Sequence, residues 1–317
     1  MSAAAEPARF YLGVDGGGTK TRAVVVDAHG AERGNALSGS ANAHAVGVER
    51  AVAQVIAAAE QAARQAGASL PFAAAWLGLA GLDGPSDSER LLPHLAPLAG
   101  VIHLTNDAEL LLSALLGQLG VALIAGTGSI AVGRNAAGAA TRVGGWGHTL
   151  GDEGGGYDLG RRALNAAARY ADGRGEQTSL LQRILAAWDL RAASELIGHV
   201  YAGAATRQVE EVAQLAPLVL QAAREGDRVA RRIVRRGTVE LARAAVVAGD
   251  HLGFGAAPLP IALGGSLLLR APDVRAAVLG AIGHSRLLGE IALVEQPAHS
   301  AAQAAVALAS AGTQPSG

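Results

Sequence analysis

The chain opens with short apolar runs that are separated by polar, glycine-containing turns. Residues 10–14 and 22–28 predict two strands joined by such a turn, and residues 30–38 predict a third, more exposed strand. Residues 46–66 carry apolar side chains at helical spacing, so we expect a helix that ends at Gly67. The rest of this half predicts a strand, a helix, a strand and a helix, in that order, over residues 73–81, 86–98, 101–107 and 108–119.

The second half of the chain begins by repeating that pattern. Residues 120–145 again give an apolar strand, a glycine-containing turn, a second strand and a short third one. A mainly helical region follows over about 157–249, and residues 259–270 then predict a strand, a Gly-Gly turn and the start of a helix. The repeat indicates that one type of β-hairpin-led unit occurs twice.

Two similar halves predict an α/β fold with two lobes and a cleft between them. We expect the first lobe to span residues 1–118 and the second to span residues 119–297. A last helix is expected over about 298–312, and it is free to pack back on the first lobe.

Composition narrows the classes of protein to consider. The 317 residues carry a formal net charge of -1, which gives no electrostatic reason to expect nucleic acid as a partner. The absence of cysteine excludes disulfides, thiolate zinc sites and cysteine-ligated iron–sulfur clusters. The first ten residues lack a secretion signal, and the apolar runs are shorter than a membrane span. We therefore expect a cytoplasmic protein with no membrane partner.

Three glycine-rich turns are candidates for binding a nucleotide. We name them the first glycine turn (Asp15–Lys20), the second glycine turn (Gly126–Ser129) and the third glycine turn (Gly264–Ser266). Glycines let backbone N–H groups approach phosphate oxygens, and hydroxyl side chains add further donors. The alternative is that these are ordinary tight hairpins. The candidate contacts are Gly16, Gly17, Gly18, Thr19, Lys20, Gly126, Thr127, Gly128, Ser129, Gly264, Gly265 and Ser266.

Three polar side chains near predicted strand ends can carry chemistry. Asp15 can hold Mg²⁺, or it can simply bond the nearby backbone of its turn. Lys20, the only lysine of the chain, can neutralise a phosphate or lie in solvent. Asp107 can accept a proton from a substrate hydroxyl, and it can also cap the helix that follows it.

The segment "GGWGHTLGDEG", residues 144–154, is too rich in glycine and acids for an ordinary amphipathic element. We expect an ordered loop in which Trp146 packs against a sugar and Asp152 bonds sugar hydroxyls. The alternatives are that Trp146 anchors the core and that Asp152 or Glu153 caps the next helix. His148 is expected to be packed and hydrogen-bonded, because no second metal-type residue is suitably spaced.

These motifs together resemble a known family. The sequences "GVDGGGTKT", "SANAHAVG", "TNDA", "IAGTGSI", "GGWGHTLGDEG" and "LGGS" occur in the order seen in the N-acetylglucosamine kinase and BadF/BadG-type ATPase group. This group belongs to the sugar-kinase branch of the acetate and sugar kinase, heat-shock and actin superfamily. The resemblance runs from Tyr11 to about Ala309 and implies two actin-like, ribonuclease H-like lobes with a central nucleotide and sugar cleft.

The resemblance also implies a role for each motif. The first and second glycine turns become phosphate loops for ATP, and the third glycine turn becomes part of the adenosine site. Asp107 becomes the catalytic base, and Asp15 becomes part of the first phosphate loop. The residues that would contact the amino sugar are Asn42, Asp107, Gly145, Trp146, Gly147 and Asp152.

The implied function is ATP-dependent phosphorylation of N-acetylglucosamine, and alternatives stay open. "GSANAHAVGVE" is also similar to bacterial glucosamine kinases, and some BadF-type relatives are ATPases without sugar kinase activity. The absence of cysteine argues against an iron–sulfur activator. A DNA-binding regulator of this fold needs a helix-turn-helix ahead of the first glycine turn, and the 14 residues before Asp15 are too few for one. An actin-type filament protein would need neither the segment "GGWGH" nor a catalytic base at Asp107. We expect a small-molecule amino sugar as the partner and leave a homodimer open.

Overall fold

The computed structural model describes residues 9–82, 84–202 and 205–311. These residues form two compact units. The first unit contains the described residues up to Gln118 together with those from Val294 onward, and the second unit contains Leu119–Leu293. Within the described ranges, every helix is too short or too polar to span a bilayer.

Each unit is built on one five-stranded sheet with helices packed against it. The strands are β1 (Phe10–Gly16), β2 (Thr21–Asp27), β3 (Glu32–Ser38), β4 (Phe72–Leu79), β5 (Ala99–Asn106), β6 (Gly120–Ala125), β7 (Ser129–Arg134), β8 (Ala140–Gly144), β9 (Leu259–Gly264) and β10 (Leu288–Leu293). The α-helices are α1 (Ala43–Val46), α2 (Val48–Ala66), α3 (Pro85–Leu95), α4 (Gly156–Ala171), α5 (Leu180–Ala187), α6 (Glu195–Tyr201), α7 (Ala205–Ala213), α8 (Ala216–Arg224), α9 (Arg228–His251), α10 (Ser266–Arg270), α11 (Pro272–Gly283) and α12 (Pro297–Ala311). Short 3₁₀ segments occupy Ala96–Leu98, Ala108–Ala114 and Leu116–Gln118.

The two sheets have the same connectivity. In the first unit the order is β3-β2-β1-β4-β5, and in the second it is β8-β7-β6-β9-β10. In both, three antiparallel strands lead into two parallel ones. This is the ribonuclease H-like arrangement, and the predicted repeat of a hairpin-led unit is confirmed.

Alternating side chains bury the first sheet on both faces. Leu12 and Val14 of β1 join a core cluster with α2, while Tyr11 joins a separate cluster with α12. Such alternation follows from the two-residue period of a strand. A Cβ on Gly13 would stand 2.0 Å from the Ala298 oxygen, so this glycine lets α12 lie directly against β1.

The second unit buries its sheet against a larger set of helices. Helix α9 packs on β6 and β7, and its buried residues include Leu241, Ala245 and Ala248. Strand β6 contributes Val121 and Leu123 to the same core. Removing such buried apolar surface from water supplies the main driving force for folding.

Several elements differ from the predictions, and the helices α1 and α11 are among those not predicted. Where one helix was predicted over residues 108–119, the chain forms 3₁₀ segments at 108–114 and 116–118; Leu115 between them is extended, with φ -95° and ψ 146°, and Gly117 is left-handed, with φ 67°. Both conformations interrupt the hydrogen-bond ladder of an α-helix. Strand β10 was not predicted, because its short sequence "LGEIAL" lacks a clear two-residue alternation.

Candidate active site

Asp15 and Asp107 lie at the carboxyl ends of the parallel strands of the first unit. Asp15 is the penultimate residue of β1, and Asp107 directly follows β5. Strand β4 runs between them, with Gly78 paired to Asp15 on one side and to Thr105 on the other. A Cβ on Gly78 would stand 3.2 Å from the Asp107 Cα and 2.9 Å from the Leu110 Cδ1. The glycine therefore lets the backbone that follows β5 approach β4 closely.

The electrostatic environment of Asp15 is unfavourable for a negative charge. The pKa of Asp15 is raised from the ordinary value of 3.8 to about 6. Burial is the largest cause, and repulsion by the Asp107 carboxylate adds to it, while the positive charges of Lys20 and Arg22 lower the pKa. A cation bound at this position would relieve the repulsion between the two acids.

Asp107 also begins the 3₁₀ segment Ala108–Ala114. Its Oδ1 accepts a hydrogen bond from the Ala108 N–H at 2.9 Å, and the Asn106 Oδ1 accepts from the same N–H at 2.9 Å. Asn106 Nδ2 in turn donates to the Leu82 oxygen at 3.2 Å. The predicted capping role is confirmed. It does not compete with a catalytic role, because a cap holds the carboxylate in one place at the strand end.

The first glycine turn joins β1 to β2 and is closed by a hydrogen bond from the Gly17 N–H to the Lys20 oxygen at 2.9 Å. Its glycines differ in their surroundings. A Cβ on Gly16 would stand 2.5 Å from a leucine methyl of β4, whereas the space around Gly18 is open. Gly18, Thr19 and Lys20 are exposed. Internal packing thus accounts for the glycine at 16, and the open backbone at 18 is accessible to a ligand.

Asn42 lies in the loop after β3 and caps α1. Its Oδ1 accepts hydrogen bonds from the His44 N–H at 3.0 Å and the Ala45 N–H at 3.2 Å. Gly81, which follows β4, has a φ of +79°, and a Cβ there would stand 2.7 Å from the same oxygen. The side-chain oxygen is committed to the helix, so the amide nitrogen Nδ2 is the donor that Asn42 can offer to a ligand.

The second and third glycine turns are neighbours in the second unit. The second turn joins β6 to β7, and the third follows β9, which pairs with β6 in parallel. Gly265 has a φ of +83°, and a Cβ there would stand 2.3 Å from a backbone oxygen of β6. A Cβ on Gly126 would lie 3.9 Å from the Ser266 nitrogen. The structure therefore brings two motifs that are far apart in sequence to one edge of the sheet.

A cavity of about 470 Å³ opens beside these two turns. Gly126, Thr127 and Ser266 line it from the turns. Its volume is within the range of small-molecule sites. The helices α7, α8 and α10 and the turn between α7 and α8 supply further lining residues, namely Glu210, Ala213, Gln214, Ala216, Pro217, Leu220, Arg224, Leu267 and Arg270. These lining residues could not be identified from the sequence, because they belong to no glycine-rich motif of the kind that marks the turns.

The tryptophan loop (Gly144–Gly154) presents its aromatic side chain to solvent. Trp146 is 68% exposed, so the alternative that it anchors the core is wrong. The Arg142 guanidinium carbon lies 5.6 Å from the ring centroid, and the same side chain donates to the backbone oxygens of Gly144 and Gly145. Arg142 therefore orients both the loop and the ring. No motif in the sequence singled out this arginine.

Asp152 is held by the backbone of the same region. Its Oδ1 accepts a hydrogen bond from the Gly147 N–H at 3.2 Å. Burial raises the pKa of Asp152, and the Glu153 charge adds to this, whereas the N–H groups of Gly147 and Ser129 lower it. The alternative that Asp152 or Glu153 caps α4 is wrong. The N-cap residue of α4 is Gly155, and no side chain caps the helix there.

The tryptophan loop does not form a metal site. His148, expected to be packed and hydrogen-bonded, is exposed and meets the Tyr157 ring edge-on, with 4.9 Å between ring centroids. Over the part of the chain that the structure describes, no group of three or more His, Cys, Asp or Glu side chains can hold a metal ion. A cation at Asp15 would therefore take most of its ligands from a bound substrate and from water.

Comparison with known proteins agrees with this geometry. The N-acetylmuramic acid/N-acetylglucosamine kinase of Clostridium acetobutylicum is 34% identical to the chain over 237 residues, which cover 74% of this chain and 77% of the relative. The glucosamine kinase GspK of Vibrio cholerae is 30% identical over 235 residues, covering 73% of this chain and 78% of the relative.

A solved structure extends the similarity to the fold. A candidate N-acetylglucosamine kinase from Chromobacterium violaceum superposes with a TM-score of 0.67 at 28% identity, covering 95% of this chain and 99% of that one. The family model for the BadF/BadG/BcrA/BcrD ATPases matches residues 12–309. The chain therefore belongs to the BadF/BadG/BcrA/BcrD ATPase family.

Proposed function

We propose that this protein is an ATP-dependent kinase of an amino sugar, which converts N-acetylglucosamine to N-acetylglucosamine 6-phosphate. The observation that carries the proposal is the pair of acids, Asp15 and Asp107, at the carboxyl ends of β1 and β5, the two strands that flank β4 in the first unit. Two relatives named as amino-sugar kinases support the substrate class, because their similarity extends over 74% and 73% of this chain.

Asp107 is the proposed general base. Its carboxylate takes the proton of the sugar 6-hydroxyl while that oxygen attacks the γ-phosphorus of ATP. The bond from the γ-phosphorus to the bridging oxygen breaks, and ADP leaves with its electron pair. The hydrogen bond from the Ala108 N–H keeps the carboxylate in position throughout.

Asp15 fits the role of a ligand for Mg²⁺. Its raised pKa reflects burial and the nearby Asp107 charge, and a cation compensates for both. A single carboxylate suits Mg²⁺, which usually keeps several waters and binds phosphate oxygens. When bound, the ion supplies positive charge that stabilises the transferring phosphoryl group.

The glycine turns are the proposed contacts for ATP. Backbone N–H groups and hydroxyls of the first and second turns would bond the phosphates, and Lys20 would neutralise one of them. The adenosine would occupy the cavity of the second unit, against the third turn. The juxtaposition of the second and third turns beside that cavity supports this assignment.

Candidate contacts for the amino sugar are proposed in each unit separately. In the first unit, Nδ2 of Asn42 would donate to the acetamido oxygen, since its own oxygen is already bonded to α1. In the second unit, the exposed Trp146 ring would cover the sugar, and the backbone of Gly145 and Gly147 and the carboxylate of Asp152 would bond its polar groups. An aromatic face beside fixed donors is suited to a ligand that is apolar on one side and polar at its edge.

Glucosamine is the second candidate substrate. The Vibrio cholerae relative bears that activity in its name, and the segment "GSANAHAVGVE" is similar to such kinases. A third reading is an ATPase of the same family that transfers no phosphate to a sugar.

A coupled assay for ADP separates these readings. The purified protein with Mg²⁺ and ATP should form ADP only when N-acetylglucosamine or glucosamine is present, with a sugar phosphate of equal amount. Sugar-independent ADP formation would support the ATPase reading and contradict the proposal.

A further inference from the structure

Asp152 contacts two loops of the second unit at once. Its Oδ1 accepts a hydrogen bond from the Gly147 N–H at 3.2 Å. The backbone N–H of Ser129 also favours the charged form of this carboxylate and lowers its pKa. Gly147 belongs to the tryptophan loop, and Ser129 ends the second glycine turn. One carboxylate thus connects the loop assigned to the sugar with the turn assigned to phosphates.

The carboxylate also occupies the space beside Gly128. A Cβ on Gly128 would stand 2.2 Å from the Asp152 Oδ2 and 2.8 Å from its Cγ. A side chain at position 128 is therefore incompatible with Asp152 in its present position. Gly126 belongs to the same turn but differs, because the nearest atom to a Cβ there is 3.9 Å away.

The backbone around Asp152 is held in a conformation that residues with a Cβ rarely adopt. Its φ is +60°. The Asp152 oxygen accepts from the Gly155 N–H at 3.0 Å, and the next residue, Gly156, donates to the Gly126 oxygen at 2.8 Å. The Ser129 Oγ donates to the Glu153 oxygen at 2.8 Å. These bonds join the segment that carries Asp152 directly to the second glycine turn.

We infer that Asp152 is a positioning residue that couples the nucleotide and sugar sites, so that a ligand at one raises the affinity for a ligand at the other. The inference rests on the proposed function, which places phosphates at the second glycine turn and sugar at the tryptophan loop. A phosphate that orders Gly128 and Ser129 also orders the Asp152 carboxylate, and this fixes the tryptophan loop at Gly147 for the sugar. The coupling is reciprocal by thermodynamic necessity.

Calorimetric titration of the whole protein with a non-hydrolysable ATP analogue, with and without saturating N-acetylglucosamine, measures the coupling. The wild-type ratio of the two dissociation constants should be about 5-fold or more. Asp152→Ala and Gly128→Ala should each bring the ratio to within about 2-fold of one, because both remove the carboxylate from between the loops. Asp152→Asn keeps one acceptor oxygen and should retain an intermediate ratio. Thermal melts identify any variant that fails to fold, and the ratios of the variants that do fold then test the inference.

Gly126→Ala is the matched control. It lies in the same turn and has room for a Cβ, so it should keep the wild-type ratio even if it weakens nucleotide binding. If Asp152→Ala weakens sugar binding equally with and without nucleotide, Asp152 is a sugar contact alone and the inference is wrong. A wild-type ratio near one would also overturn it. Failure of the proposed function is seen separately, as a wild-type protein that binds nucleotide but phosphorylates no sugar.

Discussion

Asp15 and Asp107 are held at the carboxyl ends of β1 and β5, with Gly78 of the intervening strand β4 between them. Their proximity contributes to the rise of the Asp15 pKa to about 6, second to burial. Two acids in one site with different surroundings are suited to different tasks. In the proposed function Asp15 binds a cation, and Asp107, fixed by its capping bond, accepts a proton.

Replacing the proposed base should abolish turnover without unfolding the protein. Asn caps a helix about as well as Asp, so Asp107→Asn should leave the melting temperature nearly unchanged. Loss of the base should lower kcat by about 100-fold or more, with sugar binding weakened but measurable. Steady-state kinetics and sugar titration test this. A variant that keeps kcat near the wild-type value would mean that Asp107 serves only as a cap.

Gly78→Ala should act on catalysis through the position of Asp107. The new Cβ would stand 3.2 Å from the Asp107 Cα, so the backbone after β5 must shift. Displacing a catalytic group by a fraction of an ångström should lower kcat by about 10-fold or more. Gly100→Ala is the matched control, since its Cβ would meet nothing closer than 3.4 Å on the adjacent strand. Equal kcat values for the two variants would contradict this role for Gly78.

Asp15 should make the stability of the protein depend on pH. Its pKa is raised in the folded state, so its contribution is most favourable below the unfolded value of 3.8 and is lost as the pH rises through about 6. Without magnesium, Asp15→Asn should therefore raise the free energy of unfolding by on the order of 1–3 kcal/mol at about pH 8 and change it little at about pH 4. Denaturant titrations at both pH values measure this.

Asp27→Asn is the control of opposite sign for that experiment. A hydrogen bond from Arg33 lowers the pKa of Asp27, so its loss should destabilise the protein at neutral and alkaline pH. If Asp15→Asn also destabilised the protein at alkaline pH without magnesium, the Asp15 carboxylate would be favourably charged and the account of this site would be wrong.

Lys20 allows a chemical test of the first glycine turn. It is the only lysine of the chain and is exposed. An amine-reactive ATP analogue should label its side chain, as shown by peptide mapping, and excess ATP should block the labelling. Lys20→Arg should abolish the label. Labelling that ATP does not reduce would place the amine in solvent, away from the phosphates.

The sequence predicted the repeated fold because both hairpins consist of short apolar runs joined by glycine-containing turns. It also predicted which turns would lie at strand ends, and the second and third turns do meet at one sheet edge. It could not separate the reasons for the glycines. Gly16 is required by packing against β4, whereas Gly18 has open space around it.

Other parts of the site depend on tertiary contacts that leave no motif. One wall of the cavity comes from α7, α8 and the turn between them, where residues such as Gln214 and Pro217 are unremarkable in sequence. Arg142 could not be identified because its role follows from its approach to Trp146. The contact between Asp152 and Gly128 likewise appears only when the two loops are seen together.

The most direct test of the central claim is the measurement of kcat/KM for N-acetylglucosamine, glucosamine, glucose and N-acetylmuramic acid with ATP under one condition. A site that bonds an acetamido group leaves buried polar atoms unpaired when the group is absent, so it discriminates strongly. We expect N-acetylglucosamine to be the best of the four substrates. A clear preference for glucosamine would change the substrate but not the class of enzyme. Turnover of none of the four sugars, with ATP hydrolysis intact, would contradict the assignment as an amino-sugar kinase.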